Sequence, residues 1–261
     1  IPDKPYLKMV YWAETGKKLN LDNPKTYNEK LQWLKLHDKK PEYCTYVDKY
    51  EVRSYIRETI GDHYLVPLLG VYNSIEEIDW ASLPNQFVLK CTHGSGSNII
   101  CTDKSKLDIK DAEKKINKWM KKNWYWFGRE WEYKYVKPRI ICEKFMIDDN
   151  EDELKDYKIM CFNGKAKCIF LCHNRNSKDG LNINIYDEHW NLLPFERIGS
   201  PNSKEVVKKP KNLSLMIQLA EKLSKGHPFL RVDFYEVNNK VYFGEMTFYP
   251  ASGFRGFTPD Y

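Results

Sequence analysis

The chain has 261 residues, of which 42% are hydrophobic, and its 42 Lys and Arg outnumber 36 Asp and Glu to leave a formal charge of +6. That length suits one large domain or two small ones with real cores, and the composition excludes a disordered polymer. Purely apolar runs reach only five residues, where a bilayer-spanning helix needs about 20, so no transmembrane segment is expected.

The start, Ile1-Pro2-Asp3-Lys4-Pro5, has no signal-peptide core and no initiator methionine, which suggests that an upstream piece is missing. The first 62 residues read as mostly helical. Thr26-Tyr27-Asn28-Glu29 is a capping box ahead of Leu31, Leu34 and Leu36. Asp48 with Glu51 predicts a second helix from Lys49 to Ile60, closed by Gly61. Gln86–Cys91 and Asn98–Cys101 read as strands around a Gly/Ser-rich turn, Asp108–Lys122 as an amphipathic helix and Arg139–Met146 as a buried strand. Residues 147–155 are acidic and polar and form the best linker candidate. Strands Tyr157–Phe162 and Lys165–Cys172 follow, joined by Asn163-Gly164, a two-residue hairpin signal. Leu213–Lys225 reads as a helix closed by Gly226, and Phe229–Val237 with Val241–Phe248 as a last hairpin. Strands and helices mix without regular βαβ alternation, so the fold class is α+β rather than a Rossmann sheet.

The seven cysteines, Cys44, Cys91, Cys101, Cys142, Cys161, Cys168 and Cys172, include no CxxC and lie mostly in apolar strand-like runs. They read as small buried hydrophobes in a reducing compartment, the cytoplasm. Cys168, Cys172 and His173 lack a fourth zinc ligand at a recognisable spacing. The positive balance suits an anionic partner, but the lysines are spread along the chain, and no nucleic-acid partner is expected.

The terminal hairpin is the richest stretch. If Asn238-Asn239-Lys240 is a three-residue loop, Asp233 lies opposite Glu245 and Arg231 opposite Thr247, all four on one face. Facing carboxylates repel, so they need a cation between them; magnesium is one answer and Arg231 alone is the other. A two-residue loop Asn238-Asn239 would instead put the carboxylates on different faces. Upstream, Lys90 ends an apolar strand before His93-Gly94-Ser95-Gly96-Ser97. That pattern suits a phosphate-covering loop, though it matches neither GxxxxGK[ST] nor GxGxxG and reads equally as a flexible turn. Ile140-Ile141-Cys142-Glu143-Lys144-Phe145-Met146 reads as the floor and hinge of an adenine pocket, or as a buried strand reaching the surface. The aromatic cluster Trp124-Tyr125-Trp126-Phe127, with Trp131, Tyr133 and Tyr135, reads as packing core or as a platform for sugar rings.

The order of these parts resembles the ATP-grasp superfamily. Arg231-x-Asp233, then Glu245-x-Thr247-x-x-Pro250-x-x-Gly253, is similar to the metal-binding end of its D-alanine–D-alanine ligase branch. More specifically, the chain resembles the TupA-like ATP-grasp family of bacterial surface-polysaccharide gene clusters over about 19–258. The match is carried by Leu19 to Trp33, Leu89 to Gly96 and Asp156 to Gly164. The resemblance implies two α+β lobes enclosing a nucleotide, with a helical N-terminal region at 1–62, a small ATP-lid subdomain at 63–147 and a large metal and catalytic subdomain at 148–261. It implies that Lys90 binds ATP phosphates and that His93, Gly94, Ser95, Gly96 and Ser97 cover them. Glu143, Lys144, Phe145 and Met146 read adenine, and Lys158 or Arg175 reaches the phosphates. Asp233, Glu245 and Thr247 hold magnesium, and Arg231 stabilises developing negative charge. Thr247 stands where the superfamily usually has Asn, a weaker ligand that leaves one or two metals open. The implied activity is an ATP-dependent carboxylate–amine ligase working through an acyl phosphate, joining an acidic saccharide or sugar nucleotide to an amino acid or other amine. The rivals are a glycan phosphotransferase on the same fold, a nucleotide sensor without turnover and a glycosyltransferase.

Overall fold

The computed structural model describes residues 1–149, 153–174, 180–203, 205 and 207–259. The chain divides into two compact units: Ile1–Asp38 with Ile147–Tyr261, called unit 1, and Lys39–Met146, called unit 2. The helical stretch 1–62 is thereby shared. Helices α1 (Asp3–Thr15) and α2 (Tyr27–His37) belong to unit 1, and α3 (Tyr43–Val47) and α4 (Val52–Thr59) to unit 2.

In unit 2, strands β1 (Leu68–Tyr72), β2 (Phe87–Cys91), β3 (Asn98–Cys101) and β4 (Ile140–Lys144) form an antiparallel sheet in the order β1-β4-β2-β3. Between β3 and β4 run α5 (Ile109–Met120) and the short α6 (Tyr125–Gly128). Asp108 caps α5 by accepting from the Asp111 N–H at 3.0 Å. The apolar stripe of α5 packs Ala112 and Ile116 inward, and Ile116 joins Phe87, Leu89, Cys91, Cys101 and Cys142 in one core. Period-2 alternation leaves Val88, Lys90, Ile141 and Glu143 on the opposite face, since Val88 pairs with Glu143 and Lys90 with Ile141. The helix expected from Lys49 begins only at Val52. Asp48 Oδ1 accepts from the Tyr50 and Glu51 N–H groups at 2.8 and 3.3 Å, so an Asp-capped turn replaces the first helical turn.

In unit 1, β5 (Asp156–Phe162), β6 (Lys165–His173), β7 (Asn182–Tyr186), β9 (Phe229–Val237) and β10 (Lys240–Thr247) form an antiparallel sheet in the order β10-β9-β5-β6-β7. The β5–β6 turn has Asn163 at φ 49° and Gly164 at φ 75°, the two positive angles a type I′ turn demands. Helix α7 (Leu213–Leu223) buries Leu213, Met216, Leu219, Ala220 and Leu223 and packs on β5, β6 and β9. A two-stranded ladder of β8 (Glu196–Arg197) and β11 (Phe257–Thr258) completes the unit. The chain matches the α+β expectation. All seven cysteines are free, and burial pushes the thiols of Cys91 and Cys161 up to about 11. No helix among the described residues is long and apolar enough to cross a membrane.

Helix α2 holds the turn that follows the last hairpin. Its capping box forms as expected, with the Thr26 hydroxyl taking the Glu29 N–H at 3.2 Å and Glu29 Oε2 taking the Thr26 N–H at 3.0 Å. Residues Ala251, Ser252 and Gly253 all sit in the left-handed region, at φ 50°, 53° and 64°. Two non-glycine residues there cost energy unless something fixes the turn. Gln32 Nε2 donates to the carbonyls of Ser252 and Gly253, each at 2.9 Å, and Lys35 Nζ donates to Ser252 O at 2.7 Å and to Gln32 Oε1 at 3.0 Å. The Lys35 ammonium also lies 4.6 Å from the centre of the Phe254 ring. Lys35→Met is therefore expected to lower stability by about 2 kcal/mol, the scale of lost charged hydrogen bonds. Urea unfolding measures this. A loss below about 0.5 kcal/mol would show that Gln32 alone holds the turn.

Candidate functional site

The terminal hairpin corrects one expectation and keeps its consequence. The loop is the two-residue Asn238-Asn239, at φ 49° and 62°, and not the three-residue loop supposed from the sequence. On a regular ladder this would put Glu245 on the wrong face. A β-bulge at Gly244 takes up the difference: Phe243 pairs with Phe234, the next residue is skipped, and Glu245 pairs with Asp233, Met246 with Val232 and Thr247 with Arg231. Glycine suits this position because a Cβ would crowd the Asp233 carbonyl oxygen at 3.1 Å and the Tyr235 ring at 3.3 Å.

The same face continues onto β5, where Lys158 pairs with Asp233 and Asp156 with Tyr235. Arg231 grips Asp233 with both arms, Nε to Oδ1 at 2.6 Å and Nη2 to Oδ2 at 2.7 Å, and reaches Glu245 Oε1 at 2.6 Å. Lys158 Nζ bridges Asp233 Oδ2 at 2.5 Å and Asp156 Oδ2 at 2.6 Å. Asp233 is buried, whereas the Glu245 side chain keeps 32% of its exposure and opens the cluster to solvent. Burial pushes the Asp233 carboxyl up to about 6 against the pull of Arg231 and Lys158. Against the penalty of burial, Asp156 and Asp233 hold the Lys158 ammonium above its usual value, and Asp233 and Glu245 do the same for Arg231. In this arrangement the neighbouring cations neutralise the facing carboxylates.

The donor chemistry still suits a hard divalent cation. Two carboxylates and a hydroxyl are oxygen ligands, and no group of three or more His, Cys, Asp or Glu among the described residues forms a self-sufficient cage. Magnesium characteristically takes one or two carboxylates and completes its shell with water and phosphate oxygens. Arg175 lies outside the described residues.

In unit 2, Lys90 Nζ lies 2.7 Å from Glu143 Oε2, and Arg53 Nη1 lies 3.3 Å from Glu143 Oε1. Both partners of this ion pair were expected at the nucleotide, and β2 and β4 bring them together. The glycine-rich loop is anchored at its start: Gly94 is buried, Lys49 Nζ donates to its carbonyl at 2.5 Å, and a Cβ there would meet the Trp124 ring at 3.3 Å. Ser95 and Gly96 are exposed at the tip, with Gly96 at φ 71°, and Ser97 O accepts from the Cys91 N–H at 2.9 Å. His93 is buried, with Nε2 3.2 Å from the Trp119 carbonyl at the end of α5, which ties the loop to that helix. Lys144 is exposed, Phe145 and Met146 are half-buried, and the Lys144 N–H donates to Pro67 O at 2.9 Å. The aromatic cluster divides between its two readings: Tyr125, Trp131 and Tyr133 are core, while Trp126, Phe127 and Tyr135 are exposed.

A sequence profile of the TupA-like ATP-grasp proteins matches residues 29–261. The chain belongs to the TupA-like ATP-grasp family. No curated protein matches this family member by sequence. Among solved structures, D-alanine–D-alanine ligase from Bacillus anthracis complexed with ATP is 15% identical, with a TM-score of 0.47 over 78% of this chain and 55% of its own. D-alanyl-alanine synthetase A from Vibrio cholerae is 12% identical, with a TM-score of 0.45 over 80% and 59%. N5-carboxyaminoimidazole synthase from Aspergillus clavatus is 11% identical, with a TM-score of 0.43 over 78% and 44%. The chain spans about half the length of these proteins.

Several residues of this ATP-grasp chain went unread in the sequence. Asp156 is the plainest, since it precedes Lys158 by two and a strand puts both on one face. Lys49 and Arg53 hold the loop and the Glu143 pair, but nothing in their local pattern separates them from surface cations of a helix.

Proposed function

We propose that the chain is an ATP-dependent carboxylate–amine ligase that uses ATP and magnesium to activate a carboxylate as an acyl phosphate. The observation that carries this reading is the opposition of Asp233 and Glu245 across the hairpin, kept in register by the Gly244 bulge and ringed by Arg231 and Lys158. Such a face can hold a divalent cation and a transferring phosphoryl group at once. Asp233 and Glu245, with Thr247, would hold magnesium, which supplies charge neutralisation at the phosphate oxygens. Arg231 and Lys158 would release part of their hold on Asp233 and turn toward phosphoryl oxygens, so that positive charge already in place meets the charge that develops.

In unit 2, Lys90 would contact ATP phosphates, the backbone N–H groups of Gly94 to Ser97 would cover them, and the hinge at Lys144 to Met146 would read adenine. The Glu143 carboxylate then holds the Lys90 side chain in place until nucleotide arrives. His93 would act through the loop rather than on the nucleotide. Arg175 remains a proposed phosphate contact. The acceptor is proposed to be an acidic sugar, joined in the cytoplasm to an amino acid or amino sugar.

Incubation with ATP, magnesium and paired panels of acidic sugars and amines tests the reading. The expected result is ADP and inorganic phosphate in equal amounts, dependent on both substrates. ADP without phosphate, with a phosphorylated sugar, would make the chain a phosphotransferase. No ADP with any pair would remove the ligase reading.

A further inference from the structure

Unit 1 contains a half-buried cation that meets no acid among the described residues. Arg197, in β8, makes no side-chain hydrogen bond or ion pair among the described residues. The one acid beside it in sequence, Glu196, spends its Oε2 on the Asn202 N–H at 2.9 Å. An arginine taken partly out of water without a partner carries an uncompensated desolvation cost.

The ladder fixes where that side chain goes. Arg197 pairs with Phe257 of β11, so the two share a face. The Phe257 ring lies 5.9 Å from Phe170 and 6.1 Å from Tyr27. Phe170 pairs with Lys158 in the main sheet, and Lys158 with Asp233, so Arg197 is directed over the face that carries Arg231, Asp233 and Glu245. Tyr27 closes the other side. Its ring packs on Phe229, at 5.4 Å, and its hydroxyl is buried with no hydrogen-bond partner among the described residues. Arg255 stands at the margin, exposed, with its carbonyl tied to Asn28 Nδ2 at 2.8 Å.

The groups sense one another. Burial first, and then the charges of Arg231 and Arg255, lower the proton affinity of Arg197 against the pull of Cys172. Burial pushes the Tyr27 phenol well above its usual value, with Arg231 and Arg197 opposing. An orphaned hydroxyl donor and an unpaired guanidinium fork beside two further cations lack one thing, an anion.

We propose that Arg197 and the Tyr27 hydroxyl, with Arg255 at the rim, form a carboxylate-binding subsite that takes the acceptor substrate's carboxylate beside Arg231. This rests on the ligase reading, in which a carboxylate must lie next to the phosphoryl-handling face. The planar fork of arginine matches a carboxylate with two parallel hydrogen bonds, and Tyr27 adds a third donor.

The test is thermal melting of the full chain at constant ionic strength, titrated with D-glucuronate, D-glucose or inorganic phosphate, without ATP. The melting temperature of the native protein is expected to rise saturably with glucuronate and not with glucose. Arg197→Gln is expected to melt no lower than the native protein without ligand, since it removes an unpaired charge. It should need roughly tenfold or more glucuronate for half-saturation, the scale of a lost charged hydrogen bond. Arg197→Lys, which keeps the charge and loses the fork, should fall between, and Tyr27→Phe should weaken binding by a few-fold, the scale of one neutral hydrogen bond. Equal half-saturation in the native protein and Arg197→Gln would overturn the proposal, as would the absence of saturable stabilisation by glucuronate. Saturation by inorganic phosphate alone, abolished in Arg197→Gln, would make this a phosphate site and overturn the carboxylate assignment. A chain that passes here yet releases no ADP keeps its subsite and loses the ligase reading; one that releases ADP and fails here does the reverse.

Discussion

Asp233→Asn is expected to lower turnover by at least about a hundredfold, the scale seen when preorganised charge at a phosphoryl or metal site is removed. The substitution keeps the volume of a buried side chain and deletes its charge. Arg231 retains Glu245, and Lys158 retains Asp156, so neither cation is stranded and the sheet should stay folded. The native protein supplies a second readout. With Asp233 pushed up to about 6 by burial, its ionised, metal-competent form fades as pH falls through that value. Activity should drop on the acid side there, and the drop should move to lower pH as magnesium is raised, because the cation competes with the proton. The residual activity of Asp233→Asn should lack this magnesium-sensitive limb. Near-native turnover of the variant at low magnesium would reduce the Asp233–Arg231–Glu245 cluster to a structural salt bridge.

The hairpin shows what was legible in the sequence and why. Period-2 alternation with two acids, an arginine and a threonine was enough to gather Arg231, Asp233, Glu245 and Thr247 on one face, and the register bears this out. The supposed route to that register failed: two positive-φ asparagines make a tight turn, and Gly244 supplies the odd residue as a bulge. A single sequence does not distinguish a loop one residue longer from a strand with one residue extra. The Thr26 capping box and the Asn163-Gly164 turn were readable because their chemistry is local. Strands β1 and β7 were not expected, since Leu68–Tyr72 and Asn182–Tyr186 are short and draw their definition from pairing with β4 and β6. Arg197 and Tyr27 lie far apart in sequence, and only the β8–β11 ladder and the Phe257 ring connect them.

Lys90→Met is the second substitution with a large expected effect, and its partner residue makes the outcome interpretable. Methionine keeps the aliphatic stem and removes the charge. If Lys90 contacts ATP phosphates, affinity for ATP should fall at least about tenfold, the scale of one charged hydrogen bond. A loss of stability without ATP is also expected, because Glu143 is buried and Lys90 at 2.7 Å is its shorter contact. That loss should stay near 1 kcal/mol, since Arg53 still faces the carboxylate at 3.3 Å. The double variant Lys90→Met with Glu143→Gln separates the two roles. Neutralising Glu143 removes the buried charge that Lys90 had partnered, so stability should return toward the native value while ATP affinity stays low. The opposite pattern, in which the double variant regains native ATP affinity, would mean that Lys90 serves the fold through Glu143 and touches no phosphate. ATP affinity left unchanged by Lys90→Met alone would decide the matter the same way, and the phosphate role would pass to another cation of unit 2, with Lys49 at the Gly94 carbonyl the first to examine.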